Sequence, residues 1–120
     1  MFVLKGILRA ESQEKVLVYL LLRKTGYAKN IAEFYSSPTN PIQKQLARLE
    51  EDGVVVSRTI GKVRQYELNP RYPFIEPLKE LLKKAVAFYP PEASVELIVQ
   101  RTRPRKAGKP LQRVKPKNLS

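Results

Sequence analysis

Pro41-Ile42-Gln43-Lys44-Gln45-Leu46-Ala47-Arg48-Leu49-Glu50-Glu51-Asp52-Gly53-Val54-Val55 is the stretch whose reading decides the fold. Ile42, Leu46 and Leu49 recur at i, i+4 and i+7, which places them on one narrow stripe of an α-helix. The spacing predicts a helix over Pro41–Asp52. Asn40 is its expected cap, and Pro41 takes the first helical position, where a missing N–H costs nothing. Gly53 is suited to the left-handed position just past the end. The two valines after it open a different regime, because β-branched residues now follow one another.

Working outward, Val54–Thr59 and Val63–Leu68 read as two strands separated by Ile60-Gly61-Lys62, a hairpin with a basic tip. Asn69-Pro70-Arg71-Tyr72-Pro73 closes it. Upstream, Ser36-Ser37-Pro38-Thr39-Asn40-Pro41 is a cluster of turn formers. It is preceded by a helix over about Tyr27–Tyr35, with Ile31, Ala32, Phe34 and Tyr35 on its apolar side. Residues 12–24 predict a deeply buried first helix carrying Val16, Leu17, Tyr19, Leu20, Leu21 and Leu22. Ser12 is its expected cap, Gln13 and Glu14 lie in its first turn, and Lys24-Thr25-Gly26 breaks it. A last helix, about Phe74–Phe88, carries Ile75, Leu78, Leu81, Leu82, Ala85 and Val86 on one side and stops at Pro90-Pro91. A short strand is read at 95–101.

The whole is one domain of 120 residues with 42% apolar content, enough for a core, and a net charge of +12. That charge is unevenly placed: residues 1–100 hold 15 Lys/Arg against 11 Asp/Glu, and residues 101–120 hold 8 Lys/Arg and no acid. Such an excess favours polyanionic partners. From Thr102 onward, proline, glycine and unopposed charge cannot bury enough surface to fold alone. The division expected is a domain over 1–89, including the helix at 74–88, and a basic extension over 90–120.

Helix, helix, turn, helix, hairpin, helix is the order of a winged helix-turn-helix: mainly α with a small β-hairpin wing, here with a basic C-terminal tail. In that arrangement the helix after the turn enters the major groove of double-stranded DNA. With Ile42, Leu46 and Leu49 facing inward, Gln43, Lys44, Ala47 and Arg48 face outward. Gln pairs bidentately with adenine, Arg or Lys with guanine, and an alanine methyl sits against the thymine methyl. Thr39 and Asn40 reach phosphate beside the free N–H groups of the helix start. Arg58, Lys62 and Arg64 on the hairpin are directed at an adjacent groove or backbone, Lys62 and Arg58 foremost. The tail cations Arg101, Arg103, Arg105, Lys106, Lys109, Arg113, Lys115 and Lys117 form an electrostatic arm with steep salt dependence.

Residues 7–88 resemble the winged-helix regulators of the ArsR-like group and share features with the MarR-like group. The resemblance rests on Ile31-Ala32, on Gln45 through Val55 as quoted above, and on Arg64-Gln65-Tyr66-Glu67-Leu68-Asn69-Pro70. It implies a dimeric DNA-binding regulator, most simply a repressor, whose flanking helices make the dimer contact. Two departures stand out. Ser36 and Ser37 occupy a turn that usually carries Gly and an apolar residue. The Cys, His and acidic clusters of metal-sensing members have no counterpart, so no metal and no cofactor is expected.

Zero cysteines and zero histidines exclude disulfides, thiolate metal sites and histidine general-base chemistry within this chain. No grouping of Asp, Glu, Ser or Lys has a catalytic spacing, and Glu50-Glu51-Asp52 does not converge on one face, so no enzyme is expected. The longest apolar run, Val16–Leu22, is seven residues against the roughly 20 that span a bilayer. With no leader pattern at the start, the expectation is a cytoplasmic protein away from membranes. The wide apolar side of the helix at 74–88 predicts a homodimer, the alternative being that it folds back onto the first helix of its own chain. Any small-molecule effector is expected in a pocket between the dimer helices near Tyr19, Phe88 or Tyr89, residues that otherwise read as core. The alternative use of the same fold is an RNA-binding or protein-interaction module anchored by the basic tail.

Overall fold

The computed structural model describes residues 2–92; the 95–101 strand and the tail cations lie outside the described residues. The elements in chain order are α1 (Glu11–Arg23), β1 (Thr25–Tyr27), α2 (Ala28–Phe34), α3 (Thr39–Glu51), β2 (Val55–Ile60), β3 (Val63–Leu68) and α4 (Ile75–Ala87). This is a winged helix. The helices enclose a core of Val16, Leu17, Leu20, Ile31, Ile42, Leu46 and Leu82, all at most 2% exposed, and the sheet projects from it.

The two helix–turn junctions use one device. After α3, Val54 N–H donates to Leu49 O (2.8 Å) and Gly53 N–H to Glu50 O (3.1 Å), with Gly53 at φ +82°. That is a Schellman motif, and the expected left-handed role of Gly53 holds. After α2, Ser37 N–H donates to Ala32 O (2.9 Å) and Ser36 N–H to Glu33 O (3.1 Å), the same pair of bonds. Here the left-handed residue is Ser36, at φ +53°. The missing glycine of the turn is therefore met by a strained serine, at a cost of about 1 kcal/mol.

Several boundary expectations are corrected. Ala10, not Ser12, precedes α1, and no side chain caps it; instead Gln13 Oε1 accepts the N–H of Arg9 at 3.1 Å. The helix α3 starts two residues early, with Pro38 extended before it, so Asn40 is not the cap and Pro41 falls in the third helical position. All three first-turn positions lack an intrahelical acceptor, so Pro41 fits there as well as at the first. Residues 25–27 form a strand rather than a break and a helix start: Thr25 pairs with Glu67, Gly26 with Tyr66 and Tyr27 with Gln65. The sheet is thus three-stranded and antiparallel, in the order β1-β3-β2. Lys24, left-handed at φ +75°, makes the turn into β1.

The strands β2 and β3 run in register from Val55 opposite Leu68 to Ile60 opposite Val63, around Gly61-Lys62. Only Gly61 of that pair has positive φ (+62°), as a two-residue hairpin turn with glycine first requires. Asn69 fastens the root, donating from Nδ2 to Gly53 O (2.8 Å) and from its backbone to Val54 O (2.8 Å).

Glu14, an acid in the first turn of α1, is only 1% exposed. Its carboxylate accepts the N–H groups of Val3 (3.1 Å) and Leu4 (2.9 Å) and the hydroxyl of Tyr89 (2.6 Å). One buried acid thereby ties the N-terminal segment and Tyr89, two residues past α4, to α1. Phe2 completes the closure, its ring 5.9 Å from that of Tyr35 and 6.1 Å from that of Tyr89. The helix α4 packs back on α1 through Leu82 and Ala85, so much of its apolar side is satisfied within the chain. Phe74 (64%) and Phe88 (68%) remain exposed at its two ends.

Candidate nucleic-acid interface

Recognition would fall to the outer side of α3, and its inner side explains why that side is free. Ile42, Gln45, Leu46 and Leu49 are buried. Gln45 was not foreseen among them, since a polar residue does not register in an apolar stripe. It accepts a bond from Gln13 Nε2 at 3.3 Å, which accounts for its burial. With these four inward, Asn40, Gln43, Lys44, Ala47, Arg48 and Glu51 are exposed, and Thr39 is half-buried at the start of the helix. Gln43, Lys44, Ala47 and Arg48 thus share one solvent-facing surface about a turn and a half long. No side chain caps α3, and its first two N–H groups, those of Thr39 and Asn40, have no intrahelical acceptor.

The wing supplies the second part. Register decides which of its cations travel together. Val55, Ser57, Thr59, Arg64, Tyr66 and Leu68 share one face of the ribbon, and Val56, Arg58, Ile60, Val63, Gln65 and Glu67 share the other. Arg58 and Arg64 therefore point to opposite faces. Arg64 faces α3: its guanidinium donates to Ser57 Oγ (2.9 Å) and lies 3.8 Å from Glu50. Arg58 lies on the far face and Lys62 at the tip, both exposed. Among the described residues no acid stands within ion-pair distance of Lys44, Arg48, Arg58 or Lys62. Unpaired cations keep their full charge for an anionic partner.

The nine interface candidates from the sequence thus fall into three groups. Gln43, Lys44, Ala47 and Arg48, with Asn40 and Thr39 above them, lie along one helix. Arg58 and Lys62 lie on the outer wing. Arg64 is turned back toward the helix. Glu50, Ser57 and Tyr66 belong to the same corner and were not anticipated, because the contact joins residues on three elements. Burial first, then the Glu50 carboxylate, raises the Tyr66 phenol above its ordinary pKa, partly offset by Arg64.

Tyr19 and Tyr89 are core residues, each 4% exposed. A cleft lies elsewhere among the described residues. It measures about 540 Å³ and is lined by Leu20, Leu21 and Leu68 with Lys24, Glu67 and Lys79 around them, between α1, β3 and α4. None of Tyr19, Phe88 and Tyr89 lines it. Among the described residues no helix is long and apolar enough to cross a membrane, and no group of His, Cys, Asp and Glu side chains is arranged to hold a metal ion.

No protein-family model and no curated protein matches the sequence. Among solved structures the chain is similar to ZitR of Lactococcus lactis, determined as a double mutant. The TM-score is 0.51 at 16% identity, over 80% of this chain and 75% of that one. A likeness at that identity is one of fold, and it agrees with the winged helix described above.

Proposed function

We propose that the chain is a sequence-specific double-stranded DNA-binding transcriptional regulator, acting as a repressor. Its helix α3 enters the major groove, and its wing lies on the adjacent backbone or minor groove. The observation that carries this reading is the division of α3 into a buried side and an exposed one. The exposed side is made of Gln43, Lys44, Ala47 and Arg48, with two unbonded N–H groups at the helix start and free cations on a neighbouring hairpin. Helix start and side chains then supply phosphate and base contacts together. Kinship with the ArsR-like group is part of the proposal and rests on the Gln45–Val55 and Arg64–Pro70 strings.

The functional unit is a homodimer built on α4. Phe74, Leu81 and Phe88 recur at seven-residue intervals, which return to nearly the same side of a helix. The two phenylalanines are exposed and Leu81 is half-buried. A two-fold pair would present two copies of α3 to half-sites about one DNA turn apart.

Selection of bound duplexes from a random pool tests the reading. The expected product is an enriched inverted repeat. Alanine at Gln43, Lys44 or Arg48 is expected to weaken binding to it by about 10- to 100-fold for each base pairing that the substitution removes. Weak binding that is equal for all duplexes and abolished at moderate salt would refute sequence recognition. Tighter binding to structured RNA at matched salt would replace DNA as the partner.

A further inference from the structure

We propose that Glu50 is a positioning residue for DNA recognition: through Ser57 and Arg64 it sets the angle between the wing and the recognition helix, and Arg64 serves this brace rather than a phosphate. The inference deepens the DNA-binding reading and rests on it for its purpose, though not for its geometry.

Glu50 lies in the last turn of α3. Ser57 Oγ donates to its Oε2 at 2.6 Å, and Arg64 donates to that same Oγ at 2.9 Å while its guanidinium stands 3.8 Å from Oε2. A hydroxyl has one proton and two lone pairs, so donating to the acid and accepting from the arginine is the one arrangement that satisfies all three groups. Ser57 is on β2 and Arg64 on β3, facing the same side of the ribbon. One carboxylate therefore holds both strands of the wing.

Its position along the ribbon matters. The strand β1 supports β3 only from Gln65 to Glu67, so beyond Gln65 the wing is two-stranded. Its outer residues Arg58, Thr59, Ile60, Val63 and Arg64 are all exposed, and no core packing orients them. The brace stands where the sheet narrows. An acid at this end of the helix would otherwise only repel DNA phosphates.

Repulsion and bracing predict opposite signs, which makes the test decisive. If Glu50 only repels, Glu50→Gln strengthens binding to every duplex. If it braces, the same change weakens binding to the selected duplex by about fivefold, leaves random duplex unchanged or tighter, and so lowers the specificity ratio. Arg64→Ala separates the roles of the arginine. If Arg64 neutralises a phosphate, its removal reduces the slope of log affinity against log salt by about 0.9. If it belongs to the brace, its removal lowers affinity at constant slope. A reduced slope overturns the proposal.

A measurement without DNA isolates the geometry. The chain has no cysteine, so Glu51→Cys and Lys62→Cys accept two spin labels and nothing else does. The expected helix-to-tip distance distribution is narrow with Glu50 present and broadened or shifted by Glu50→Gln. An unchanged distribution overturns the brace whether or not the protein binds DNA. A broadened distribution in a protein that prefers no duplex keeps the brace as a contact but overturns its assigned purpose, together with the DNA reading beneath it.

Discussion

Replacing Glu14 perturbs the one buried acid whose partners come from both ends of the described chain. Its carboxylate accepts three hydrogen bonds, from Val3 N–H, Leu4 N–H and Tyr89 O–H, at 1% exposure. Bonds to a charged acceptor contribute about 1.5–3 kcal/mol each, and desolvating the carboxylate offsets several kcal/mol of that sum. Glu14→Ala recovers the desolvation but strands three donors and opens a void, a net loss of about 3–5 kcal/mol. Against a total stability of about 5–10 kcal/mol for a domain this size, that is close to unfolding.

Glu14→Gln keeps the shape. Its oxygen still accepts from Leu4, and its amide can donate to Tyr89 if the hydroxyl turns round, so only the Val3 bond disappears, at about 1–2 kcal/mol. Tyr89→Phe removes one bond and costs about 1–1.5 kcal/mol. Urea unfolding of the three variants reads these values directly, with an unchanged m-value as the check that the denatured state is comparable. Amide exchange at residues 3–8 should accelerate in Glu14→Ala, because the N-terminal segment loses its anchor. An alanine variant within about 1 kcal/mol of the parent would refute the reasoning, since stranding three donors must cost more than that. So would a glutamine variant more stable than the parent, which would mean that desolvation exceeds what the bonds return.

Other outcomes follow from the same packing. Burial, then the bond to Glu14, raises the Tyr89 phenol far above its ordinary pKa, and burial followed by the neighbouring Tyr19 does the same to Tyr35, whose hydroxyl is buried without a partner. Above pH about 10 the unfolded chain releases these protons and the folded one keeps them. Stability present below that pH should then fall as pH rises, by up to about 1.4 kcal/mol per unit for each such tyrosine, and Tyr89→Phe should make the fall between about pH 10 and 11 shallower. Gly26→Ala places a methyl 2.7 Å from Tyr19 Cε1. That ring is held by the Arg23 guanidinium, which donates to its hydroxyl at 2.9 Å, so a loss of about 1–3 kcal/mol is expected in thermal unfolding. Ser36→Gly relieves the left-handed serine of the turn and should raise stability by about 0.5–1 kcal/mol in the same assay, without altering the exposed side of α3.

Much of this molecule is written locally. The Ile42, Leu46 and Leu49 stripe, the stop at Gly53 and the hairpin around Gly61-Lys62 depend on contacts within about a turn or on one residue's φ, and a short window of sequence contains all that they need. The outward set Gln43, Lys44, Ala47 and Arg48 follows from the same stripe by subtraction. What the window could not contain was decided by tertiary structure. The three-residue strand β1 has no period of its own and exists because Glu67, Tyr66 and Gln65 lie opposite it. Glu14 looks like a surface acid until Tyr89, 75 residues away, closes on it. Gln45 is buried because Gln13 reaches it, and Arg64 turns toward α3 because Glu50 and Ser57 wait there. Apolar spacing announces where a chain hides its surface. A buried polar group is specified by its partner, and the partner's place is known only once the chain has folded.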